Sequence, residues 1–108
     1  MKEITAIFKP FMLAKVQEAL QSVGDFPGMT VSDCRGMSPA RIEQALKDRA
    51  PAMEYVGKVK IQLLVSDDFA DQLAEIIARA AHTGNPGDGL VYVIPVGSAI
   101  RIRTFDKM

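Results

Sequence analysis

Cysteine and histidine are almost missing from this chain, which has one of each, Cys34 and His82, in 108 residues. A lone cysteine closes no intramolecular disulfide, so the sequence predicts a reducing, cytoplasmic setting. One cysteine, one histidine and six scattered methionines are also a poor ligand set for a soft metal. Neither sign of charge is in excess, because thirteen Lys and Arg balance thirteen Asp and Glu, and only 6% of residues are aromatic. That balance argues against nucleic acid as a partner. Long apolar runs are lacking too. The longest uncharged stretch, 89–100, has twelve residues, whereas a membrane-spanning helix needs ~20. The opening "MKEITAIFKPF" is broken by Lys2, Glu3 and Lys9, so no secretory leader is expected.

What is present suits a globular protein: 48% hydrophobic and 24% charged residues, in a length that fits one domain over 1–108. Residues 2–9 alternate, with Ile4, Ala6 and Phe8 on one face of a predicted strand. Pro10 suits the start of a helix whose stripe is Leu13, Val16, Leu20 and Val23, stopped near Gly24. "MTVSDCR" reads as a second strand, and "KVKIQLLVS" as a third with Val59, Ile61, Leu63 and Val65 inward. Between them, Ile42, Ala45 and Leu46 hint at a short helix bounded by Pro39 and Pro51, inside a long connection of the kind that is often functional. Asp67 or Asp68 is the expected cap of the next helix, with an apolar face of Phe69, Leu73, Ile76, Ile77 and Ala80. "LVYVIPV" is the last strand.

The order strand, helix, strand, loop, strand, helix, strand predicts an α+β, ferredoxin-like split βαβ fold. It is a four-stranded antiparallel sheet with two helices on one face. On the other face lie Ile7, Leu64 and part of the last strand. A bare apolar sheet face predicts self-association.

The stretch "HTGNPGDG" (82–89) has more glycine than a helix-to-strand connection needs. It is either a helix cap at Gly84 with a turn at Pro86-Gly87, or a nest of backbone N–H groups shaped for an anion. It has no Walker A ending. In the tail, "RIRT" places Arg101 and Arg103 on the same side of an extended segment, which suits a phosphate. Lys58 is a further candidate cation; each of these charges could equally be a solvated surface group. His82 reads as a residue compensating a helix dipole, Cys34 as a small buried hydrophobe.

Together, "TGNPGDG", "IRIRT", "KVKIQLLV" and "KEITAIFKPF", in this order and spacing, resemble the PII signal-transduction family of nitrogen regulators. The likeness runs nearly end to end and fails only in 37–57. It implies a homotrimer, not an enzyme, that binds an adenine nucleotide (ADP, AMP or ATP) in clefts between subunits. It also implies control of a transporter or metabolic enzyme through a mobile loop at 37–57. Gly87, Asp88 and Gly89 would contact phosphate or ribose, assisted by Arg101, Arg103 and Lys58. Ile7, Thr30, Leu64 and the main chain near Gly28 would surround the base, with Gln62 beside it, and Gly36 would sit at the base of the loop.

Three departures refine this. Leu90 stands where the family has a lysine, so ATP loses a counter-charge. Gln62 replaces a glutamate, keeping size and an acceptor. "GMSPA" (36–40) replaces glycine-x-glycine-arginine-glutamine, and no tyrosine occurs from Ser38 to Glu54, which argues against coupled 2-oxoglutarate sensing and tyrosine modification. Divergent members of this kind are associated with inorganic-carbon or metal-efflux transport, so a small anion such as bicarbonate is a candidate second ligand. The competing readings are a trimeric metal-binding or metal-tolerance protein and a small phosphatase using Arg101, Arg103 and Asp88. The phosphatase has no nucleophile-base pair to recommend it.

Overall fold

A computed structural model describes residues 1–49 and 55–108. Strand β1 (Lys2–Phe8) is followed by a 3-10 turn at Pro10–Met12 and helix α1 (Leu13–Gln21). Then come β2 (Thr30–Gly36), α2 (Pro39–Lys47), β3 (Val56–Val65), α3 (Asp67–Ala81) and β4 (Gly89–Pro95). The sheet order is β2-β3-β1-β4, every neighbouring pair antiparallel. This is the expected split βαβ architecture, with α1 and α3 on one face and α2 added inside the β2–β3 connection.

Alternation makes the core. Ile4, Ala6 and Phe8 of β1, with Val59, Ile61, Leu63 and Val65 of β3, are buried on the helical face. Val16 and Leu20 of α1 and Leu73 and Ile77 of α3 close over them. The α1 stripe holds as far as the helix runs, Val23 lying beyond its end at Gln21, while the α3 stripe differs from expectation by a fraction of a turn. Val23 and Phe69 are exposed, while Ala70 and Ala81 take the buried places on α3, because small residues let that helix approach the sheet closely. The α3 N-cap is Ser66, not an aspartate; Asp67 instead pairs with the Met1 amine at 2.8 Å.

The other sheet face is assembled in rows by register. Leu90, Ile7, Lys60 and Ser32 form one; Tyr92, Thr5, Gln62 and Thr30 the next; Ile94, Glu3 and Leu64 the third. Leu90, Tyr92 and Ile94 are exposed there. Thr5 in the middle is buried, and its hydroxyl donates to Glu3 Oε2 at 2.8 Å.

Helix α2 forms where the short helix was anticipated. Pro39 occupies its first turn, and Ser38 caps it by accepting from the Arg41 N–H at 3.2 Å. It buries none of its residues. The expectation that 37–57 is mobile falls partly on 50–54, outside the described residues.

Candidate functional site

The glycine loop is built around its acid. Helix α3 stops at Ala81, and the chain turns extended at His82 (φ −67°, ψ 130°). Gly84, Gly87 and Gly89 all take positive φ. Asp88 folds back under the turn: its carboxylate accepts the N–H groups of Thr83 and Gly84, each at 2.8 Å, and the Thr83 hydroxyl. Lys9 Nζ lies 3.2 Å from Asp88 Oδ1 and donates to the Thr83 hydroxyl oxygen at 3.2 Å. His82 Nδ1 stands 3.8 Å from the same carboxylate. So the acid ties the loop shut, and the Thr83 and Gly84 N–H groups are satisfied by its carboxylate within the turn.

Hydrogen bonds from the Thr83 hydroxyl, and then from its amide, hold the Asp88 carboxyl far below the ordinary carboxylate range. A depressed folded-state pKa adds stability above the unfolded value, about 4, and that stability is lost as pH falls further. The difference in melting temperature between the natural chain and Asp88→Asn should therefore be constant from pH 8 to 5. It should shrink below about pH 4 as Asp88 protonates in the unfolded chain. A difference that already vanishes near neutrality would contradict this account.

Beside the loop opens a cleft of about 620 Å³, bounded by Gly36, Lys58 and Gly87 and by Ser38, Arg41 and Gln44 at the start of α2. Lys9 and Phe11 complete the near wall. Lys58 Nζ donates to the Gly87 carbonyl. Ile7, Asp88, Gly89 and Leu90 line an adjoining hollow of about 210 Å³. Six of the residues singled out in sequence, Ile7, Gly36, Lys58, Gly87, Asp88 and Gly89, thus meet at one end of the molecule.

The other six do not join them. Thr30 and Gln62 are register partners further along the sheet, Gly28 (φ +85°) lies just before Thr30, and Leu64 lies two residues beyond Gln62. Leu64 and Arg101 line a groove of about 580 Å³ with Phe26, Phe69 and Met108. From Lys58 to Leu64 is six strand residues, ~20 Å. The tail is not extended as the alternating "RIRT" suggested. Arg101 N–H donates to the Asp106 carbonyl and Phe105 N–H to the Arg101 carbonyl, both at 2.8 Å, so the chain reverses at 102–104 and exposes Arg103. Backbone pairing across a tight turn outweighs the two-residue pattern there.

The profile of the family described as "Nitrogen regulatory protein P-II" matches residues 1–106. The chain belongs to the P-II family. It is 41% identical to the nitrogen regulatory protein P-II of Azospirillum brasilense over 108 residues, covering 99% of this chain and 96% of that one. It is 44% identical to P-II 1 of Escherichia coli K12, with the same shares covered. Among solved structures it is similar to Arabidopsis thaliana PII bound to citrate, with TM-score 0.79, 33% identity, and 99% and 84% of the two chains covered.

P-II proteins are trimeric, non-enzymatic signal transducers that regulate other proteins, and the family binds adenine nucleotides. The fold of this P-II chain contains no helix, among the described residues, that is long and apolar enough to cross a membrane. Also among those residues, no group of three or more His, Cys, Asp and Glu could hold a metal ion. Two residues of the loop architecture escaped the sequence reading, Lys9 and Thr83. They lie 74 positions apart and meet only because β1 and the glycine loop end at the same edge, a pairing with no local signal.

Proposed function

We propose that this P-II protein is a cytoplasmic homotrimer that senses adenine nucleotides at its subunit boundaries and signals through residues 37–57. The observation that carries this reading is the division of the candidate residues. One chain presents the glycine cradle, Lys58 and Gly36 at one end of the sheet. It carries Leu64 and Arg101 in a groove at the other end. A nucleotide that needs both sets is completed by two chains, with phosphates on the cradle of one and the arginines supplied by its neighbour. The exposed row of Leu90, Tyr92 and Ile94 supplies apolar surface for that association.

Within the site, the Gly87 to Gly89 backbone receives phosphate, and Ile7, Leu64 and Thr30, with Gln62 and the main chain at Gly28, enclose the base. Leu90, opposite Ile7 in register and 58% exposed, brings no charge. ADP or AMP therefore binds at least as tightly as ATP, with room beside it for a small anion such as bicarbonate. Ligand occupancy of the cleft bears directly on Ser38, Arg41 and Gln44 of α2. It thereby alters the posture of the segment that meets the target, a membrane transporter or metabolic enzyme.

Calorimetry with AMP, ADP and ATP, with and without Mg²⁺, tests this. Arg101→Ala and Arg103→Ala should each lose ~1.5–3 kcal/mol of affinity, the range for hydrogen bonds to charged groups. Unchanged dissociation constants in both variants would show that neither arginine reaches the ligand.

A further inference from the structure

We propose that Lys9 is a phosphate-binding, specificity-determining residue of this chain, supplying from β1 a cation that Leu90 cannot supply from β4. The assignment rests on the nucleotide-binding reading above and names which charge selects the phosphates.

Three observations carry it. First, Lys9 lies two residues after Ile7 and so continues the outer face on which Ile7 and Leu90 are register partners. The same register, continued past Phe8 and Gly89, sets Lys9 against Asp88. Its side chain is one-fifth exposed and forms part of the cleft wall. Second, Lys9 and Lys58 converge on the space left by the missing side chain of Gly87. A Cβ there would lie 3.4 Å from Lys58 Nζ and 3.7 Å from Lys9 Cε. An anion seated on the Gly87 backbone therefore has the Lys58 ammonium and the last methylene of Lys9 beside it.

Third, the loop does not need the Lys9 charge. Asp88 already accepts two backbone N–H groups and the Thr83 hydroxyl, which close the turn without it. Lys9 adds a fourth donor to a carboxylate whose neighbours are already tied. With three rotatable protons, its ammonium can keep one bond on Asp88 or Thr83 and turn another toward a phosphate oxygen in the cleft. Lys58 keeps one bond on the Gly87 carbonyl, and Lys9 can add a second cation at the same phosphate.

The test is calorimetry on the natural chain, Lys9→Gln, Lys9→Arg and the double variant Lys9→Gln/Leu90→Lys, each with adenosine, AMP and ADP. Lys9→Gln should weaken ADP by about tenfold or more, with a smaller loss for AMP and none for adenosine. Lys9→Arg should retain most of the ADP affinity, and the added lysine at 90 should restore it. Amide exchange at Thr83 and Gly84 should stay as protected in Lys9→Gln as in the natural chain. Equal weakening of adenosine and ADP, or loss of protection in the loop, would make Lys9 a structural strut and overturn the assignment. So would an unchanged ADP affinity. A natural chain that binds no adenine nucleotide at all would remove the underlying function first, a result seen before any variant is compared.

Discussion

Gly89→Ala should lower the melting temperature by about 10 °C or more and abolish nucleotide binding. A Cβ at Gly89 would lie 1.8 Å from the Ile7 carbonyl oxygen and 2.9 Å from Phe8 Cα, and the backbone there has φ +104°. Both atoms belong to β1, so no side chain can swing aside; β4 must peel from β1 at the start of their pairing. A forbidden backbone conformation and an overpacked contact each cost about 1–3 kcal/mol, and in a domain this size 1 kcal/mol corresponds to about 4–8 °C. Gly97→Ala, where a Cβ meets nothing within 4 Å, is the matched control and should melt like the natural chain. If both variants melt alike, the close approach of β1 to the glycine loop is wrong.

Ile94→Asp should give a folded monomer that has lost nucleotide affinity. Ile94 is 43% exposed on the outer sheet face, opposite Glu3. In an isolated chain a second carboxylate there is solvated, and like-charge repulsion across the strands costs only a few tenths of a kcal/mol. Against another subunit the same pair is buried without a counter-ion, a penalty of about 3–5 kcal/mol at each boundary. Light scattering reports the mass, circular dichroism the fold and calorimetry the ligand. A trimer that survives the substitution would show that this face is not where subunits meet. A monomer that still binds ADP with natural affinity would show that one chain holds the whole site.

The strands were legible because half-burial imposes a period of two, and β1 from Ile4 to Phe8 and β3 from Val59 to Val65 obey it on the helical face. Helix α3 was legible in length but not in phase. Phe69 looks like the strongest apolar anchor in the sequence, yet Ala70 is buried and Phe69 half exposed. Close packing of a helix on a sheet selects for shape, which hydrophobicity alone does not encode. Half of the candidate site could be read locally, since glycines at special backbone angles sit together in one loop. The tail misled, because alternation of Ile and Arg carries no information about the Asp106 carbonyl that draws Arg101 into a turn. Lys9 and Thr83 were invisible for the opposite reason. Their meeting depends on sheet registry across most of the chain's length.

Helix α2 has a consequence for how such proteins diversify. It has its own cap at Ser38 and internal partners in Glu43 with Lys47 and Gln44 with Asp48. None of its side chains is claimed by the core. Substitutions along it are therefore nearly invisible to folding. Successive generations can rewrite this segment for a new client while the sheet, the glycine loop and the acid beneath it stay untouched. A single ligand-reading body can in that way be fitted with many different outputs.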